Sequence, residues 1–141
     1  MTDGRFSRLA VGLALLAVAG CAGGAMAQQT APPGGEYKKV STLVALPDFV
    51  PGLGTLYVDP KTLPAGPFLA YDKQGQLVSS VYMIPLKDID GHKGFNDLAV
   101  AHEKADHVDM YYNAGHPGVP EPHYHVVVWY VSPQKAAALK Q

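Results

Sequence analysis

The sequence predicts a single α+β domain: a mainly antiparallel β-sheet with one or two short helices packed against it. Three observations carry the prediction. Short runs of alternating or apolar residues recur between Gly/Pro-rich punctuation, at Thr55–Val58, Phe68–Tyr71, Gln76–Ile84 and twice within His107–Val131. At least one pair is joined by a loop too short for anything but an antiparallel return, Asp72-Lys73-Gln74-Gly75. Two stretches, Asp97–Ala105 and the one after Ser132, begin with helix-capping residues. The chain has 141 residues, room for one domain.

The N-terminus reads as an address. Arg5 and Arg8 precede the apolar run Leu9–Ala19, which matches the charged and hydrophobic regions of a secretory signal and is too short to span a bilayer. Two cleavage readings compete. Ala25-Met26-Ala27 would release a soluble product beginning at Gln28, whereas Val18-Ala19-Gly20-Cys21 resembles a bacterial lipobox, which would leave a lipoprotein anchored at Cys21, in the outer membrane. The first is preferred because polar Gln28-Gln29 follows it where signal peptidase requires. Either way the expected destination is the periplasm or cell envelope.

Without residues 1–27, nine lysines and no arginine face eleven acidic residues, a net charge of −2. No basic patch remains, which argues against nucleic-acid partners and polybasic membrane attachment; the only membrane link expected is the lipid anchor that the Cys21 reading would supply. Cys21 is also the only cysteine, so the domain from residue 37 to residue 141 has no disulfide even in an oxidising compartment. Its stability must come from its core, from assembly into a homo-oligomer or from a bound ion.

Residues 28–36 read as a flexible Pro/Gly linker. Tyr37–Leu46 fits both a helical and an alternating pattern and is taken as a short helix. Pro47–Gly54 is a loop; its Gly52-x-Gly54 pair is a turn and not a dinucleotide fingerprint, since the third glycine would fall at Tyr57. Thr55–Val58 is a strand stopped by Asp59-Pro60, and Phe68–Tyr71 and Gln76–Ile84 form a hairpin. Strict alternation in the latter puts Leu77, Ser79, Val81 and Met83 on one face, and apolar groups on both faces mark it as central. Lys87–Phe95 reads as a polar loop; Asp88-x-Asp90-Gly91 lacks the spacing and closing glutamate of a calcium loop. Asn96 should cap a helix over Asp97–Ala105. Ser132-Pro133 should open a short, fraying terminal helix.

Chemistry concentrates in HVDMYYNAGHPGVPEPHYHVVVWYV, His107–Val131, which holds four of the six histidines. Read as two strands, it places His107, Asp109 and Tyr111 on one face of the first and His123, His125, Val127 and Trp129 on one face of the second. His123-x-His125 presents two imidazoles to the same side, as several β-barrel metal sites do. Pro117, Pro120 and Pro122 stiffen the approach. His107 and Asp109 would join the site if the register brings one of them beside His125, a point that the ten-residue connection Asn113–Pro122 leaves open. His116 could cover it from the loop. The competing reading is structural: Val126–Val131 is a buried strand, and its histidines could simply bond backbone groups at a polar rim.

His102-Glu103 is not a zinc-protease signature, because the next histidine, His107, falls five residues on and not four. The residues His107-Val108-Asp109, Tyr112-Asn113-x-Gly115-His116-Pro117, Pro122-His123-Tyr124, Pro51–Val58 and Tyr82–Pro85 resemble an uncharacterised family of small exported bacterial domains, over most of residues 37–131. The resemblance implies no activity. Family members often carry Pro-His-aromatic-Asp-x-His; here His125 takes the Asp position and Val127 the last His, which shifts attention onto His123 and His125. A likeness to cupins is superficial, since no acid follows His125 in VVVWYVSP.

The expectation is therefore a cell-envelope domain binding zinc or copper through His123 and His125, with His107, Asp109 and His116 as further ligands. A non-catalytic interaction or oligomerisation module with structural or pH-responsive histidines is the alternative. A metal-dependent enzyme, with Glu103 or Asp106 as base, is a third reading that nothing in the sequence demands.

Overall fold

The computed structural model describes residues 28–141; the expected signal sequence, with both cleavage sites and Cys21, lies outside them. Six strands form one antiparallel sheet: β1 (Lys38–Lys39), β2 (Thr55–Val58), β3 (Phe68–Tyr71), β4 (Leu77–Pro85), β5 (His107–Asn113) and β6 (His123–Trp129). Their spatial order is β1-β2-β3-β4-β6-β5. Among the described residues, the short α-helices α1 (Leu86–Asp90) and α2 (Pro133–Ala138) accompany the sheet, as the predicted architecture has it. No helix among the described residues is long and apolar enough to cross a membrane.

The strands form where apolar residues must be buried on one or both faces. β4 lies in the middle and is buried almost throughout, as its two-sided pattern requires. β6 alternates buried and half-buried positions, and β5, at the edge, is mostly exposed. One face of the sheet carries Val58, Phe68, Val81, Met83, Val127 and Trp129, packed under the loop around Val44–Leu53 and against Ala136 and Leu139 of α2 and its cap. The other carries Leu69, Tyr71 and Leu77 with Tyr37, Tyr57 and Tyr130.

The strict alternation expected in β4 is broken. Ala70 pairs with Ser79 but Tyr71 pairs with Leu77, so Val78 is an extra residue, a β-bulge. Val78 and Val81 consequently pack in the first cluster and Leu77 in the second, and Leu77 does not share the face of Val81. The hairpin itself follows expectation: Asp72 Oδ1 accepts from the backbone N–H groups of Gln74 and Gln76 at 3.0 and 2.9 Å, and Gly75 takes φ 75°.

Three further expectations need correction. Tyr37–Leu46 is not an α-helix; it supplies β1, in which Lys38 and Lys39 pair with Val58 and Tyr57 of β2, and a single 3₁₀ turn, Val40–Thr42. Asp97–Ala105 is not helical either. Asp97 sits at φ 55°, and the segment is irregular, accepting the Tyr82 hydroxyl at Ala99 O (2.6 Å) and burying Ala101. The polar stretch after Pro85, expected as a loop from Lys87, starts with α1. The terminal helix does form, with Ser132 Oγ accepting from Lys135 N, but it is anchored by buried Ala136 and Leu139 and by the Lys135–Asp72 ion pair (3.4 Å). Residues 28–31 are held against the sheet, where Gln28 O accepts from the Tyr71 hydroxyl at 2.6 Å and Thr30 bridges to Gln76.

Candidate metal centre

The register of β5 on β6 decides which side chains meet. Tyr111 pairs with His125 and Asn113 with His123, whereas His107 pairs with Trp129 and Asp109 with Val127. All eight lie on one sheet face, as their alternation required, but His107 and Asp109 are displaced along the strands from the histidine pair. They gather instead around Trp129. Its indole N–H donates to Asp109 Oδ2 at 2.9 Å, the His107 ring stacks on it at 6.0 Å, and His107 Nδ1 lies 2.8 Å from Asp106 Oδ1.

His116 takes the place that they leave. Its turn, His116-Pro117-Gly118-Val119, closes with two backbone hydrogen bonds of 2.9 and 3.0 Å between His116 and Val119. Proline second and a glycine at φ 90° third are what a type II turn demands. Val119, only 7% exposed, pins the turn to the core. The approach to His123 is tied down as well: Leu86 N donates to Pro122 O (3.0 Å), and Lys87 Nζ pairs with Glu121 Oε1 (2.7 Å).

His116, His123 and His125 each offer a ring nitrogen within 4.8 Å of the others, a group that could hold a metal ion. His123 is completely buried, His125 is buried and His116 half-buried. The outer hydrogen bonds assign their tautomers. His123 Nδ1 lies 2.6 Å from Glu121 O and His116 Nδ1 3.0 Å from Pro117 O; a carbonyl only accepts, so each Nδ1 carries the proton and each Nε2 a lone pair. His125 Nδ1 faces the Tyr111 hydroxyl at 3.1 Å, and its Nε2 stands 3.0 Å from His123 Nε2. Without an ion the chain runs from Tyr111 O–H to His125 Nδ1 and from His125 Nε2–H to His123 Nε2. To hold an ion His125 would need the other tautomer, donating from Nδ1 to Tyr111 and leaving its Nε2 free. Each ligand would then have the outer partner that metal-bound histidines use to fix their orientation. Two nitrogens on a tetrahedral zinc with bonds of about 2.0–2.1 Å stand about 3.3 Å apart, close to the spacing of this pair.

The electrostatics favour a neutral His125 ring. Burial, reinforced by His123 and His116, pushes the His125 imidazole down to about 4, so it is unprotonated and able to ligate at neutral pH. Burial, with Asp109 nearby, raises the Tyr111 hydroxyl and keeps it a neutral hydrogen-bonding group.

A cavity of about 730 Å³ opens beside the cluster on the same face of the sheet. His116, His125, Tyr111 and Asn113 line one part, and Leu56, Val58, Phe68 and Val81 of the sheet with the loop residues Val44 and Leu53 supply apolar walls. Three protein ligands leave a fourth position on a tetrahedral ion for water or another ligand. The carboxylates considered as bases are engaged elsewhere, Glu103 with Gln29 and Asp106 with His107. His92 and His102 are exposed and lie outside the cluster. Tyr111 shares the histidine face in the sequence pattern, yet its pairing with His125 depends on the register; the cavity depends on loops crossing the sheet, which leave no local pattern.

The fold and much of the sequence recur in a solved structure, a hypothetical protein from Thermus thermophilus. The two are 48% identical over 68% of this chain and 89% of that one, with a TM-score of 0.60. The chain belongs to the family of that protein. No protein-family model matches the chain, and no curated protein matches it. A hypothetical protein supplies no activity, which agrees with the resemblance to an uncharacterised family and leaves function to be argued from the site.

Proposed function

We propose that this protein is an exported cell-envelope domain that binds a divalent transition ion, zinc or copper, through His116, His123 and His125. The observation that carries the reading is the convergence of one ring nitrogen from each of three histidines to within 4.8 Å of the others, each ring with its second nitrogen engaged by a backbone carbonyl or a tyrosine. Three buried or half-buried neutral rings without a carboxylate suit a borderline ion and not calcium or magnesium, which take oxygen ligands. The test is elemental analysis of the protein purified without affinity tag or chelator. About one equivalent of zinc or copper, lost in the His123→Ala/His125→Ala variant, is expected; protein that is metal-free and fails to take up added zinc or copper would sink the reading.

A second reading, self-association, is favoured by one observation. β5 is an edge strand, and on the face away from the histidines Val108, Met110 and Tyr112 are 58%, 60% and 53% exposed. Met110→Lys should shift the sedimentation coefficient of an oligomer to that of a monomer and leave metal content unchanged. A wild-type protein that already sediments as a monomer at high concentration would refute it.

A further inference from the structure

We infer that the cavity beside the histidines holds an aliphatic monocarboxylate of medium chain length, its chain against Val58, Phe68, Val81 and Leu56 and its carboxylate on the open position of the bound ion. The inference rests on the metal reading for the head group and on the cavity alone for the chain. The volume of about 730 Å³ lies within the range of small-molecule sites, about 300–1,000 Å³, and most of the wall is aliphatic. The polar side chains His116, His125, Tyr111 and Asn113, of which His125 is buried, gather at one end, so an occupant must be apolar along its length and polar at one tip.

Charge selects the tip. An ion held by three neutral imidazoles keeps its full positive charge, which excludes an ammonium head and favours an anionic oxygen donor, a ligand type that zinc accepts at about 2.0–2.2 Å. Asp109, the one carboxylate on the cavity wall, accepts from Trp129 Nε1 and sits beside His107, away from the three histidines. Lys140 also borders the cavity, but it is exposed and lies at the end next to α2, beyond Leu139. It can leave its ammonium in water, so the enclosed anion site is the histidine end.

The experiment is calorimetric titration of hexanoate, octanoate and decanoate into zinc-loaded and metal-free protein of measured zinc content. Affinity should rise with chain length, by up to about fourfold per methylene, the value of burying one CH₂. The metal-free protein should keep this gradient and bind every member more weakly. In cobalt-loaded protein the visible absorption bands should move with decanoate and stay still with decanol. Leu56→Trp, which fills the cavity, should abolish the gradient without loss of zinc; Leu53→Trp serves the same purpose from the loop if the first variant does not fold. Zinc-loaded protein that binds decanoate no better than hexanoate overturns the inference while the metal reading stands. Protein that takes up no zinc but shows the gradient overturns the metal reading and the placement of the carboxylate, and supports the chain's place in the cavity.

Discussion

Tyr111 stands directly opposite His125 across the β5–β6 pair, and its hydroxyl lies 3.1 Å from His125 Nδ1. This contact would be the outer support of the one histidine whose tautomer would have to change for it to ligate an ion. Removing the hydroxyl should therefore weaken metal binding without unfolding the domain, because Tyr111 is 40% exposed and its ring would remain as phenylalanine. Tyr111→Phe is expected to lower zinc affinity by about 10- to 100-fold, the usual cost of losing such a partner. Competition with a chromophoric chelator measures it; an unchanged affinity would show that His125 needs no support from β5.

The depressed His125 imidazole makes the metal-free protein sensitive to acid. Unfolded, the ring titrates near 6.5; folded, near 4, chiefly because it is buried. Between these values the unfolded chain holds the extra proton, so stability is complete above about pH 6.5 and declines as pH falls toward 4. The difference corresponds to a loss of about 2–3 kcal/mol between pH 7 and pH 4.5, at 1.36 kcal/mol per unit. Urea denaturation of the chelated protein at the two pH values should show that loss, and His125→Gln should reduce it.

The alternating runs that became β2, β3, β4 and β6 were legible because each must bury at least one face, and Asp72–Gly75 carries its turn chemistry locally. Leu77 could not be placed by alternation, since a bulge at Val78 is settled by the partner strand and not by β4 itself. Asp97–Ala105 has a capping residue and helix formers, yet burying Ala101 and satisfying the Tyr82 hydroxyl outweighed that weak local preference. In the site, His123 and His125 were visible as a pair on one face. Their third partner was not decided, because the ten-residue connection allows several registers and only the Pro117-Gly118 turn brings His116 back over the sheet.

That return depends on glycine. Gly115 adopts φ 124°, and a Cβ there would stand 2.4 Å from Pro120 O, a backbone atom that cannot swing aside. Gly115→Ala should cost about 1–3 kcal/mol and lower zinc affinity by displacing His116. Gly34, at φ 72° with nothing within 4 Å, is the control: Gly34→Ala has only the left-handed backbone penalty, about 1 kcal/mol, and should leave zinc affinity unchanged. Equal zinc affinities in the two variants would mean that His116 is not a ligand.

The ligand set itself can be read from stability. An ion that binds only the folded chain stabilises it by about 2.7 kcal/mol when its free concentration is 100 times Kd. That gain should vanish in His123→Ala and fall sharply in His116→Ala. His107→Ala and Asp109→Ala should retain it, although Asp109→Ala lowers the baseline by leaving the Trp129 N–H without its acceptor. The register makes this discrimination sharp: His107 faces Trp129 and Asp109 faces Val127, while the three rings that converge lie toward Asn113 and the Pro117 turn. If His107→Ala instead abolished the zinc-dependent gain and His116→Ala left it intact, the ion would sit over Trp129 and not over the His123–His125 pair.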